Sequence, residues 1–220
     1  MAIISLVPNW FFGLDIIFEL AFAIITFFLS LYAFKIYKLS DQKQSRLFGI
    51  SFLLFSISYF IQSIINLSIL TKFGENIHVL IKLKEISLLN YIGIYTHLIF
   101  FLIGLLTLTY MTFKIQNKKL YILLFLVSML SLFLSMNKIY WFYFLASIFL
   151  IFIVIHYFNN YVRYKQVNNL LVLIAFIMLL FGHIHFIFSV NHAFFYVIGH
   201  FLELGAYILI LISLLRMFRK

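Results

Sequence analysis

Seven long runs of apolar residues, separated by short polar segments, divide this sequence. A helix needs about 20 apolar residues to cross the roughly 30 Å hydrocarbon core of a bilayer. The runs are Trp10–Phe34, Leu47–Leu70, Ser87–Phe113, Leu120–Ser135, Tyr140–Asn160, Leu170–Val190 and Phe194–Leu215. Strands of a membrane β-barrel would be shorter and would alternate apolar with polar residues. The pattern therefore predicts an all-α polytopic membrane protein, a seven-transmembrane-helix bundle that forms a single domain over residues 1–220.

The composition indicates that lipid, rather than water, surrounds most of the chain. Hydrophobic residues make up 65% of the 220 and charged residues 10%, whereas roughly 25% charged residues are usual in a soluble domain. The fourth run has only 16 residues and is the shortest candidate span. The longest polar connection, Thr71–Ile86, is too short for an independent core and is predicted to lie on the outer surface as an amphipathic helix. We expect a multi-pass protein of the cell membrane, with the lipid bilayer as its main partner.

Basic residues are distributed unequally between the two sides of the predicted bundle. Twelve of the sixteen follow the odd-numbered runs: Lys35, Lys38, Lys43, Arg46, Lys114, Lys118, Lys119, Arg163, Lys165, Arg216, Arg219 and Lys220. The other four are Lys72, Lys82, Lys84 and Lys138. Because cytoplasmic segments of membrane proteins are rich in Lys and Arg, the N-terminus is predicted outside and the C-terminus in the cytoplasm. Anionic lipid at the helix ends accounts for the net charge of +10, so no nucleic-acid partner is predicted.

Polar side chains inside the apolar runs fall at similar depths. Asp15 and Glu19 are four residues apart and share a helix face. His97 lies about ten residues from the outer end of its run, and His200 and Glu203 share a face of the seventh run. A charged side chain near the bilayer centre is costly unless it is paired or protonated. We therefore predict one buried proton- or ligand-binding cluster in the outer half, formed by Asp15, Glu19, Gln62, Asn66, His97, His185, His200, Glu203 and Tyr207.

The sixth run contains two histidines that cannot face the same point. His183 and His185 are two residues apart, about 200° around a helix. His185 shares a polar stripe with Gly182 and Ser189, so the sequence favours His185 in the cluster. His183 is expected at a helix contact, although its greater depth keeps it a candidate.

Imidazoles and carboxylates are also ligands for transition metals. The metal-ligand candidates are Glu19, His97, His183, His185, His200 and Glu203. Two facing histidines would suit haem b, whereas a retinal Schiff base is disfavoured because Lys220 is the only lysine in or after the seventh run. The chain has no cysteine, which excludes a thiolate metal site, a disulfide and a thiol nucleophile.

The residues leave several functions open, and none of them can be assigned a catalytic residue. The cluster could sense a proton or small ligand, hold a metal or haem in a redox or hydrolytic enzyme, or form part of a proton or ion channel. It could also be a purely structural network that ties the helices together. A binding role is favoured over an enzyme because no compact metal motif such as HExxH occurs. Oligomeric state cannot be read from the sequence.

The segment GHFLELGAYILILISLLR resembles the last helix of the seven-helix membrane sensor modules that precede histidine kinases and cyclic-dinucleotide enzymes. The chain as a whole is similar to small uncharacterised seven-helix membrane proteins of archaea. The resemblance implies a stimulus-sensing bundle and carries no catalytic residues. Because only four residues follow Arg216, a sensor of this kind is expected to signal through a separate partner at the cytoplasmic face.

Overall fold

The computed structural model describes residues 8, 10–74, 79–113, 117–189 and 192–218. Over these residues the fold is all-helical, as predicted, and one helix corresponds to each apolar run. The helices are α1 (Phe12–Ser40), α2 (Lys43–Gly74), α3 (Val79–Thr112), α4 (Lys118–Leu134), α5 (Lys138–Tyr164), α6 (Val167–Phe188) and α7 (Phe194–Phe218).

Six of the described helices are long and apolar enough to span a membrane, namely α1, α2, α3, α5, α6 and α7. The exception is α4, whose 17 residues extend about 26 Å at a rise of 1.5 Å per residue. That length is slightly less than the roughly 30 Å of a typical hydrocarbon core. The helices are therefore those of a multi-pass membrane protein, with six clear spans and one short apolar helix.

The helices extend beyond the apolar runs into the polar segments, and caps close the ends of α1, α4 and α5. Asp41 and Lys165 follow α1 and α5 in the left-handed conformation, with φ of 51° and 48°, and their N–H groups donate to Tyr37 and Tyr161 carbonyls. At α4, the Asn117 side chain accepts a hydrogen bond from the Lys119 backbone at 2.9 Å. The predicted connection Thr71–Ile86 is largely taken up by the end of α2 and the start of α3, whereas residues 75–78 lie outside the described residues.

Six helices close into a ring, and α4 lies outside it. Each of α1, α2, α3, α5, α6 and α7 packs against two ring neighbours, with α3 against α5 and α7 against α1 completing the circuit. Over the described residues, α4 packs only on α3 and α5. The helix that is shortest is thus also the one that does not surround the interior.

The middle of the ring is filled by large apolar side chains. Phe22, Phe52, Phe176 and Ile210, from four different helices, are fully buried there. Helices α2 and α3 approach closely at Gly104, where an added Cβ would lie 3.0 Å from the Ser51 carbonyl oxygen. This core separates two cavities, one at each end of the ring.

Candidate ligand-binding cavity

A cavity of about 90 Å³ lies at the end of the ring where α1, α5 and α7 begin and α2 and α6 end. We call it the polar cavity and its surroundings the cavity end. All six ring helices contribute to its lining, which comprises Glu19, Tyr59, Gln62, Ile94, His97, Leu98, Phe101, Ile139, Phe142, Tyr143, His183, Phe186, Tyr196, His200 and Glu203. No Lys or Arg is among these residues.

The opposite end contains a larger cavity of a different character. It measures about 260 Å³, and its polar lining is mainly amides, among them Gln42, Gln44, Asn160, Asn168 and Asn169. Within the described part of the chain, no carboxylate and no Lys or Arg lines it. Of the two cavities, the polar cavity is the one lined by described carboxylates, and the candidate site is therefore placed there.

One pair in the polar cavity joins α1 to α7. His200 Nε2 lies 3.0 Å from Asp15 Oδ1, and the Tyr196 hydroxyl donates to the same oxygen at 3.0 Å. His200 Nδ1 lies 3.0 Å from the Tyr196 carbonyl oxygen. Because a carbonyl can only accept, Nδ1 carries a proton. The short contact between Nε2 and Asp15 then holds one further proton, either as an imidazolium–carboxylate pair or on the carboxyl itself.

A second pair joins α1 to α2. The Asn66 side-chain amide nitrogen donates to both Glu19 carboxylate oxygens, at 2.8 and 3.0 Å. The side-chain oxygen of Asn66 therefore accepts a hydrogen bond from Gln62 Nε2, 3.4 Å away. This chain of amides fixes the orientation of Gln62, whose Oε1 is buried at the cavity without a hydrogen-bond partner.

Glu203 and His183 form the third polar contact, between α7 and α6. His183 Nδ1 lies 3.7 Å from Glu203 Oε1 and 2.9 Å from the Leu179 carbonyl oxygen. The shorter contact shows that Nδ1 carries a proton and donates a hydrogen bond to the Leu179 carbonyl. In the neutral ring, Nε2 is then the nitrogen that can accept a hydrogen bond. Both residues are almost fully buried.

His97 has the same arrangement on α3. Its Nδ1 lies 2.9 Å from Ser58 Oγ, and that hydroxyl donates to the His97 backbone carbonyl at 3.0 Å. Ser58 therefore occupies Nδ1 of His97, and Nε2 is the ring nitrogen that is left for other contacts. A nearby hydroxyl pair, Tyr59 with Tyr207 at 2.9 Å, connects α2 to α7 beneath the cavity.

Most residues of the predicted cluster gather at this cavity. Glu19, Gln62, His97, His200 and Glu203 line it. Asp15, Asn66 and Tyr207 hydrogen-bond to residues that line it. The sequence analysis did not identify the aromatic lining or the contribution of α5. The spacing of Ile139, Phe142 and Tyr143, at i, i+3 and i+4, was the available signal for that face.

The expectation that His185 rather than His183 faces the cluster does not hold in the structure. Gly182 points toward α7, where an added Cβ would lie 3.3 Å from the Gly199 carbonyl oxygen. On a helix, His183 is about 100° to one side of Gly182 and His185 about 60° to the other. His183 consequently faces the ring interior, whereas His185 is only partly buried and packs on Phe195 with centroids 5.6 Å apart.

Three of the six acidic residues in the chain, Asp15, Glu19 and Glu203, are buried around one cavity, and no Lys or Arg lines it among the residues that the structure describes. The imidazoles that the structure places beside Asp15 and Glu203 are those of His200, at 3.0 Å, and His183, at 3.7 Å. Burying a carboxylate costs several kcal/mol unless it is paired or protonated. The chemistry that this arrangement can perform is therefore the uptake of positive charge.

A metal or haem fits the described geometry less well. No group of three His, Cys, Asp or Glu side chains in the described residues is placed to hold a metal ion. Sites for drug-sized ligands usually measure roughly 300–1,000 Å³, and the polar cavity, at about 90 Å³, is too small for haem b.

No protein-family model, curated protein or solved structure matches this chain. The function is therefore inferred from the geometry of the cavity and the distribution of charge.

Proposed function

We propose that this chain is a sensor-like bundle of the cell membrane, in which all seven helices span the bilayer and the polar cavity binds positive charge from the outside. The orientation rests on the described basic residues. The cavity end carries Lys72, Lys82, Lys84 and Lys138. The opposite end carries Lys35, Lys38, Lys43, Arg46, Lys118, Lys119, Arg163, Lys165 and Arg216. Because the cytoplasmic side is the basic side, the cavity faces outward.

The observation that carries the binding function is the set of buried carboxylates and histidines in an apolar ring whose described lining contains no Lys or Arg. Three ionised carboxylates in that position would be destabilising. The cavity therefore reaches neutrality by holding protons on carboxylates and imidazoles, or by holding a small cation. Histidine changes charge between about pH 5 and pH 8, which suits a group that reports the outer environment.

The same contacts give a route from the cavity to the helices. Asp15 and His200 join the neighbouring helices α1 and α7, and Tyr59 and Tyr207 join α2 to α7 across the ring. A change of charge at the cavity alters the attraction between α1 and α7. Since α7 runs the length of the bundle to the basic end, it transmits the change toward a separate signalling partner at the cytoplasmic face.

Infrared difference spectroscopy of the reconstituted protein between about pH 5 and pH 8 tests the proposal. We expect the carboxylic-acid band to change with pH, and Glu203→Gln to reduce that change. Asp41→Asn is a matched control, because Asp41 is exposed beyond α1 and its left-handed conformation suits asparagine. A pH response that is unchanged in Glu203→Gln and in Glu19→Gln but lost in Asp41→Asn would contradict uptake at the cavity.

A further inference from the structure

We infer that the polar cavity binds a small primary ammonium ion, an R–NH₃⁺ group with few heavy atoms or ammonium itself. The inference rests on the proposed function, since it identifies the chemical class of the positive charge that the cavity takes up. Three independent features of the lining support it: a wall of aromatic rings, an excess of hydrogen-bond acceptors, and a small volume.

The aromatic wall is continuous across four helices. Ring centroids are 5.7 Å apart for Phe101 and Phe142, 5.2 Å for Phe142 and Tyr143, and 4.9 Å for Tyr143 and Phe186. Phe186 continues to Tyr196 at 5.6 Å. Aromatic faces attract cations within about 6 Å, and most strongly when both are removed from water. Glu19 and Glu203 line the same cavity as these rings.

The polar atoms left over in the cavity can all accept a hydrogen bond, although the Tyr143 hydroxyl can also donate one. His183 donates Nδ1–H to the Leu179 carbonyl, so its neutral ring has only its Nε2 lone pair to offer, and Ser58 occupies Nδ1 of His97. Gln62 Oε1 is buried without a partner, and its orientation is fixed through Asn66. A buried acceptor without a partner is costly. A ligand that satisfies these atoms must donate several hydrogen bonds, which an ammonium N–H can do and a quaternary ammonium cannot.

The Tyr196 hydroxyl, which could have served an anionic or carbonyl ligand, already donates to Asp15. An anion would also meet the two carboxylates that line the cavity. The volume of about 90 Å³ accommodates a few heavy atoms, well below the roughly 300 Å³ of sites for larger ligands. A small donor cation is thus the ligand class that agrees with charge, hydrogen bonding and size together.

The test is isothermal titration of the protein in lipid nanodiscs with methylammonium, tetramethylammonium and potassium chlorides at one ionic strength. We expect saturable binding of methylammonium, with tetramethylammonium and potassium at least about tenfold weaker, a difference of about 1.4 kcal/mol. Glu203→Gln and Gln62→Met should each weaken methylammonium binding. Asp41→Asn and His185→Gln should leave it unchanged, because neither side chain lines the cavity.

Other outcomes would overturn the inference in distinguishable ways. Tighter binding of tetramethylammonium would show a purely aromatic cation site, and equal binding of potassium would show an inorganic cation site. If no cation binds but the carboxylic-acid band still responds to pH through Glu203, the ligand is the proton alone; the ammonium inference fails while the proposed function stands. If both responses are absent, both fail. Should Glu203→Gln not fold, Gln62→Met provides the test, since Gln62 is only partly buried.

Discussion

His200 on α7 places its two ring nitrogens beside two oxygens, one of the Asp15 carboxyl group and the other of the Tyr196 carbonyl, each 3.0 Å away. Asp15 lies in the first turn of α1, where the helix dipole favours a negative charge. The pair therefore joins the start of α1 to the start of α7 through a shared proton. Loss of that proton would leave a buried polar group without a partner.

Removing one partner of this pair should be more destabilising than the loss of an ordinary hydrogen bond. We expect Asp15→Asn to lower the free energy of unfolding by roughly 3 kcal/mol, the cost of leaving a buried charge uncompensated. His200→Gln should cost a similar amount. The double variant should lose less than the sum of the two, by about 1 kcal/mol or more. Denaturant unfolding in detergent measures all three, and strictly additive losses would contradict a shared proton.

The contact between Glu19 and Asn66 predicts a second coupling. Glu19→Leu and Asn66→Leu should each destabilise the protein by about 1–3 kcal/mol, because each leaves its partner buried and unpaired. Together they should cost less than the sum. Ser63→Ala is the control on the same helix, since Ser63 bonds only to the Phe60 carbonyl of its own turn; an equal loss there would show that the effect is not specific to the pair.

Hydropathy was sufficient to predict the helices because each apolar run is a local property of the sequence. The shared depth of Glu19, His97 and Glu203 was likewise sufficient to predict where polar side chains gather. The depth of a side chain in the membrane follows from counting residues along its own helix. It does not depend on knowing which helices are neighbours.

Rotation and neighbourhood required the tertiary structure. The choice between His183 and His185 depends on Gly182, whose close approach to α7 sets the rotation of α6. The exclusion of α4 from the ring depends on contact between α3 and α5. Neither the packing of α6 on α7 nor that of α3 on α5 can be read from the sequence. The run that forms α4 is as apolar as those of the ring helices, and both histidines occur in one apolar run.

The rotation of α6 can be tested with a matched pair of substitutions. His183→Gln should destabilise the protein by about 1–3 kcal/mol, because it removes a ring that packs on Phe101 and Tyr143, with centroids 5.4 and 5.8 Å away. His185→Gln should change stability by no more than about 0.5 kcal/mol. Thermal unfolding of both variants decides between the two faces, and a larger loss for His185→Gln would place that residue in the interior.

Two glycines of α7 predict opposite effects of the same substitution. An added Cβ at Gly199 would lie 2.5–2.9 Å from ring atoms of Phe186, whereas at Gly205 it would meet only the mobile end of Met178. Alanine favours a helix over glycine by about 1 kcal/mol. Gly205→Ala should therefore be neutral or stabilising, and Gly199→Ala should be destabilising and weaken binding at the polar cavity by displacing Phe186. Equal melting temperatures of the two variants would argue against the tight packing of α6 on α7.

The number of spans depends on α4, and the absence of cysteine from the chain makes it directly measurable. Lys118 begins α4 and Met136 follows its end, and both side chains are exposed. Tilting or local thinning of the bilayer costs only fractions of a kcal/mol per Å, so we expect this 17-residue helix to cross. Met136→Cys should then react with a membrane-impermeant maleimide on intact cells, and Lys118→Cys only after permeabilisation. Labelling of both from the same side would show that α4 does not span the membrane. Labelling of Lys118→Cys alone from outside would invert the proposed orientation and place the polar cavity on the cytoplasmic side.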